Sequence, residues 1–167
     1  KIIMLLTKQT NLFGDKIKIH KLPKTQYLGS KERLVNWIYE NAPKDIETVL
    51  DAFSGTSVVG YIFKSRGKRV IGNDFLKFNF HIGKAVIENK DQILDENDLQ
   101  ILFQKNKGAG TLITDVFTGV FFEKEQAQFL DNFRANVDLL ENDEKKSLAF
   151  TVMSRALTRK ILLGHFA

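Results

Sequence analysis

The segment Glu47–Phe75 constrains this chain more than any other. Thr48-Val49-Leu50 is a short apolar run of the kind that forms a strand buried on both faces of a parallel sheet, and Arg69-Val70-Ile71-Gly72 reads as a second strand. Between them, Asp51-Ala52-Phe53-Ser54-Gly55-Thr56 supplies a turn. A helical pattern follows from Thr56 to Lys64, with Val59, Ile62 and Phe63 on one apolar face and Gly67 as its C-terminal cap. The pattern predicts a β-α-β unit. Asn73-Asp74 closes the second strand about twenty residues beyond the turn, where a nucleotide-binding unit of this type carries an acidic residue for a ribose. A glycine turn lets backbone approach a ligand, and the free N–H groups of the following helix suit an anionic or carboxylate-bearing one. The dinucleotide fingerprint is absent, because Ser57 and Gly60 follow Gly55 instead of the G-x-G-x-x-G set. On spacing alone, an ordinary strand-to-helix turn with Asp74 as a helix N-cap also fits.

The 167 residues, 43% of them hydrophobic, suffice for one α/β domain with a core, and a second full domain is not expected. With no cysteine, disulfides, thiolate metal sites and thiol nucleophiles are excluded, which fits a cytoplasmic protein. No apolar stretch approaches the roughly 20 residues that span a bilayer, and Ile2-Ile3-Met4-Leu5-Leu6 reads as a packing segment or strand. The formal charge of +5 favours a polyanionic partner without requiring one. Lys16, Lys18, Lys21, Lys24, Lys31 and Arg33 crowd the first part. Arg155, Arg159 and Lys160 lie near the end, where Arg155 and Arg159 share a helix face that serves either DNA phosphates or solvent.

Residues 1–26 lack a clear period and are expected to form an irregular arm. Residues 27–120 form the α/β domain and residues 121–167 a helical segment. Ser30 is the expected N-cap of a helix through Asn41, with Leu34, Val35 and Ile38 buried and Pro43 beyond its end. Another helix is expected from Leu76 towards Asn89, then a polar, acidic passage from Asp91 to Asp98. Gly108-Ala109-Gly110 breaks the chain, and Leu112–Phe117 reads as strand or loop. Farther on, Phe129, Phe133 and Val137 share a helix face, as do Leu148, Val152, Ala156 and Leu157. The fourteen phenylalanines are read mainly as core packing.

Three elements in order carry a family resemblance: Tyr27-Leu28-Gly29-Ser30-Lys31, Asp51-Ala52-Phe53-Ser54-Gly55-Thr56 and Asn73-Asp74. Over roughly residues 23 to 90 the chain resembles the opening of Dam-type N6-adenine DNA methyltransferases of restriction-modification systems. The resemblance implies a partial Rossmann-like S-adenosylmethionine-binding sheet with a helical C-terminal segment, the start of a DNA-recognition region. It further implies that Tyr27, Gly29, Ser30 and Lys31 close around the methionyl end of the cofactor. Phe53, Gly55, Thr56 and Ser57 line the turn, and Asp51 fixes the turn or the cofactor amine. Asp74 takes ribose hydroxyls and Phe75 packs on adenine. Arg155, Arg159 and Lys160 are candidate contacts to double-stranded DNA. The implied reaction is methyl transfer to adenine N6, with no metal and no membrane.

Two departures stand out. Ser57 occupies a place where many relatives have a second glycine. The catalytic Asp/Asn-Pro-Pro-Tyr/Phe element is absent, since Pro23 and Pro43 are the only prolines and both precede the turn. Asp115-Val116-Phe117 lacks its rigid diproline and does not replace it, so no catalytic residue is assigned. The chain is expected to be a fragment of a longer protein, or a cofactor- or DNA-binding subunit of a split enzyme whose missing region or second chain carries that motif. A cytosine-C5 methyltransferase is excluded by the missing cysteine nucleophile. A nicotinamide-dependent oxidoreductase is disfavoured by the missing glycines.

Overall fold

A computed structural model describes residues 30–160, with side chains through Leu157. The chain order is α1 (Val35–Asn41), β1 (Thr48–Asp51), α2 (Val58–Ser65), β2 (Arg69–Gly72), α3 (Lys77–Gly83), α4 (Glu96–Phe103), α5 (Leu112–Phe117), α6 (Lys124–Val137) and α7 (Asp143–Lys160). α3 widens into a π-helical turn over Lys84–Glu88. The fold is mixed α/β and mostly helical among the described residues.

β1 and β2 pair in parallel, Thr48 opposite Arg69 and Asp51 opposite Gly72, with α2 as the crossover. The predicted β-α-β unit is therefore present. α2 ends as expected: Gly67 sits at φ +76°, its N–H donates to the Lys64 carbonyl at 3.0 Å, and the Lys68 N–H donates to the Phe63 carbonyl at 3.0 Å. That pair of bonds closes a left-handed helix cap.

The strands are not buried on both faces. Val49 and Val70 are half-buried on the α2 side, whereas Leu50 is 64% exposed and Ile71 is exposed on the other. The expectation fails because helices cover one face of the sheet only among the described residues.

α1 also begins later than expected. Its N-cap is Leu34, itself exposed, and Ser30 instead accepts the Glu32 N–H at 3.4 Å within a preceding turn. Leu112–Phe117 is a helix, α5, rather than strand or loop. The Asp131 carboxylate of α6 stabilises its start by accepting the Ile113 and Thr114 N–H groups at 2.9 and 2.8 Å. That partner is distant in sequence, which explains why local pattern did not reveal the helix.

α4 was missed altogether, although Asp95 and Asp98 form a reciprocal capping box at its start. One core cluster joins Leu102 of α4 with Phe133 and Val137 of α6, Leu140 and Ala149. A second joins Ile82, Ala85 and Val86 with Leu148 of α7. Lys145 of α7 ties that helix to the start of α4 by ion pairs to Asp98 at 3.0 Å and Asp95 at 3.4 Å. The Asp98 hydrogen bond outweighs burial, so its ammonium holds its proton far more tightly than an ordinary lysine. No described helix is long and apolar enough to cross a membrane.

Leu102 is buried at the centre of the α4–α6 contact. Leu102→Ala is expected to cost about 2–5 kcal/mol of stability. Urea unfolding will read this as a lower midpoint with an unchanged slope; an unchanged midpoint would remove Leu102 from the core.

Candidate functional site

The register that pairs Asp51 with Gly72 brings the loops after β1 and β2 to the same edge of the sheet. Backbone bonds then lace them together. The Asn73 N–H donates to the Asp51 carbonyl and the Ser54 N–H to the Asn73 carbonyl, both at 2.9 Å. The Asn73 side-chain amide donates to the Ala52 carbonyl at 2.9 Å.

Two carboxylates complete the lacing. Asp74 Oδ2 accepts the Gly55 N–H at 2.8 Å, while Oδ1 accepts the Leu76 N–H at 3.0 Å and the Asn79 amide at 2.9 Å. Asp51 Oδ2 accepts the Gly60 N–H at 3.0 Å. Gly60 lies in the first turn of α2, whose own N-cap, Ser57, makes no side-chain capping bond. The strand residue Asp51 therefore satisfies an orphan donor of the helix in place of its N-cap.

Gly60 is required by packing as well as by this bond. A Cβ there would lie 3.1 Å from Val70 Cγ1, 3.2 Å from Ile87 Cδ1 and 3.4 Å from Asp51 Oδ2. The absent side chain lets α2 sit close against the sheet.

The two acids titrate in opposite directions. Burial raises Asp51 above the ordinary carboxylate range, opposed by the Gly60 N–H and reinforced by the negative charge of Asp74. Burial also pushes Asp74 upward, but hydrogen bonds from Asn79, Leu76, Gly55 and Phe75 outweigh it and hold Asp74 below that range.

Of the sequence-predicted residues, Asp51, Phe53, Gly55, Thr56, Ser57, Asp74 and Phe75 lie along this turn and its neighbouring loop. Thr56 and Ser57 are buried, whereas Phe53 is 89% and Phe75 95% exposed, so neither ring plugs the turn. Lys31 is exposed; its carbonyl accepts the Leu34 N–H at 2.8 Å. Tyr27 and Gly29 lie outside the described residues. Arg155 is half-buried on α7, and the side chains of Arg159 and Lys160 lie outside the described residues.

Sequence reasoning singled out Asn73 with Asp74 but missed its loop-to-loop bonds, and it missed Asn79 and the packing role of Gly60. A glycine in the middle of a helical pattern was the available signal for Gly60; Asn79 carried none.

A family model described as D12 class N6 adenine-specific DNA methyltransferase matches residues 27–163, the greater part of the sequence. The chain belongs to this family. It is 39% identical over 146 residues to the type II methyltransferase M2.HphI of Haemophilus parahaemolyticus, covering 87% of this chain and 43% of that protein. It is 28% identical over 129 residues to the type II methyltransferase M.NlaIII of Neisseria lactamica, covering 70% of this chain and 38% of that protein. The chain thus spans about two fifths of the length of these relatives. No solved structure matches it.

Ser57 carries a local conformational cost. It holds φ +58°, its side chain is buried, and among the described residues its hydroxyl has no hydrogen-bond partner. Ser57→Gly is expected to raise stability by about 1 kcal/mol by relieving left-handed backbone strain and the unpaired hydroxyl. A lower melting temperature in this variant would contradict the reading.

The depressed Asp74 pKa sets a pH dependence. Its contribution is present above the unfolded carboxylate value of about 4 and is lost as pH falls through the lower folded value. The stability gap between wild type and Asp74→Asn, followed by urea unfolding, should narrow as pH drops below about 4. A gap that widens in acid would contradict it.

Proposed function

We propose that this chain is the S-adenosylmethionine-binding portion of an adenine-N6 DNA methyltransferase acting on duplex DNA, its two strands belonging to a Rossmann-like sheet. The observation that carries the proposal is the 2.8 Å bond between Asp74 and the Gly55 N–H, which joins the glycine turn to the carboxylate of the neighbouring strand's loop.

The donor set fits the cofactor. Among the described residues, only Oδ2 of Asp51 takes a hydrogen bond, which leaves Oδ1 to receive the cofactor's ammonium. Two carboxylates beside one turn also favour a cationic sulfonium over a neutral thioether. Phe53 and Phe75 offer open ring faces to the adenine. Asp74 is already near the roughly four hydrogen bonds a carboxylate accepts, so a ribose hydroxyl shares or displaces one of its present donors. Tyr27, Gly29, Ser30 and Lys31 are assigned to the methionyl end.

When bound, S-adenosylmethionine supplies an electrophilic methyl group. The residues of this chain bind and orient it; activation of the adenine amino group falls to an Asp/Asn-Pro-Pro-Tyr/Phe element this sequence does not contain. That element is supplied either by a further segment of the same protein or by a partner chain. The chain alone should transfer no tritiated methyl groups to DNA, and transfer by it would overturn this part of the proposal.

Titration calorimetry tests the cofactor assignment. The wild-type chain should bind S-adenosylmethionine and not NAD, and Asp74→Ala should abolish the heat. Asp51→Asn keeps an acceptor for Gly60 but loses the charge, so its affinity should fall about tenfold or more with folding intact. No heat with S-adenosylmethionine, or equal heat with NAD, would overturn the assignment.

A further inference from the structure

The cofactor site leaves unused the loop between α4 and α5, Gln104-Lys105-Asn106-Lys107-Gly108-Ala109-Gly110-Thr111. No acidic residue occurs between Asp98 and Asp115, and Lys105 and Lys107 are both exposed.

The loop is fastened from beneath by a ladder of asparagines. The Asn106 N–H donates to Asn132 Oδ1 and the Asn106 side-chain amide to Asn136 Oδ1, both at 2.9 Å. Asn136 in turn donates to the carbonyls of Leu102 at 3.2 Å and Gln104 at 2.7 Å. Asn106 Oδ1 accepts the Gly108 N–H at 2.9 Å. Asn106 thus anchors the middle of the loop to α6 while the lysines on either side reach solvent.

Next to this anchor lies an exposed aromatic pair. Phe103, 57% exposed, stacks on Phe129, 40% exposed, with ring centroids 5.9 Å apart and planes 16° from parallel. Phe129 and Asn132 are three residues apart on α6, so rings and anchored loop share one face of that helix. Of the acids near the loop, Asp131 accepts N–H groups of α5 and Asp115 accepts the Thr111 hydroxyl at 2.7 Å, while Glu125, one turn before Phe129 on α6, is exposed.

We infer that the Lys105–Lys107 loop and the Phe103–Phe129 pair form a DNA-backbone contact surface, the lysines pairing with phosphates and the rings packing on deoxyribose. The choice of DNA as the polyanion rests on the family reading; the geometry supplies the place. A fixed loop holds its cations without the ordering cost that free lysines incur on binding, and phosphate contacts position a protein on a duplex irrespective of sequence.

The test is binding of the full chain to a labelled duplex oligonucleotide across a salt series. Lys105→Ala with Lys107→Ala should weaken binding at low salt and reduce the slope of log affinity against log salt by about 2, near 0.9 per lost phosphate contact. A charge-matched control, Lys44→Ala with Lys90→Ala, should leave the slope unchanged. Equal slopes in wild type and the loop variant, an equal reduction in the control, or no DNA binding by the wild-type chain would overturn the inference. Calorimetry with S-adenosylmethionine on the same proteins keeps this test separate from the cofactor assignment: loss of cofactor binding with an intact loop-dependent slope would count against that assignment alone.

Discussion

The carboxylate of Asp74 is the fixed point of the site. Its bond to the Gly55 N–H holds the loop after β1 against the loop after β2. Backbone groups at this edge cannot complete a sheet ladder, so their pairing depends on such side chains and on the loop-to-loop bonds of Asn73. Asp51 adds the matching restraint to the helix by capping Gly60. The turn is therefore braced before any ligand arrives, which lowers the ordering cost of binding.

This brace is supported at a distance. Asn79, buried in the first turn of α3, holds Asp74 from behind. α3 and the π-helical turn after it pack on Leu148 of α7. Ser147 of α7 meets His81 Nδ1 at 3.0 Å, and Thr151 donates to the His81 carbonyl at 3.3 Å. Burial lowers the His81 pKa, and Lys84 adds to that effect against the opposing charge of Asp143, so this contact is made by a neutral ring at neutral pH. α7 is itself fastened to α4 through Lys145 and Asp98. Helices far from the turn in sequence thereby set the position of its carboxylate.

The local features of this arrangement were legible in the sequence because local chemistry encodes them. The β-α-β unit followed from two apolar runs around a helical period, and the Gly67 cap from a glycine just past that helix. The proximity of Gly55 and Asp74 followed from the parallel pairing those elements require. What escaped detection depended on long-range partners. α5 begins on a carboxylate contributed by Asp131, and the exposure of Leu50 depends on which elements cover the sheet rather than on its own strand. Asp74 was read as a ligand for ribose hydroxyls, and its spacing gave no sign that Gly55, Leu76 and Asn79 already use it. Ser57 was read as standing in place of a second glycine; its consequence in this structure is backbone strain and an unpaired buried hydroxyl.

The central claim is that a turn already braced by Asp74 receives the methyl donor. The most direct test follows backbone amide resonances of the isotope-labelled chain during titration with S-adenosylmethionine. Saturable shifts concentrated at Phe53–Ser57 and Asn73–Leu76, with the Gly55 amide protected from exchange before ligand is added, are the predicted result. An unprotected Gly55 amide in the free chain, or shifts confined to other parts of the molecule, would contradict the account.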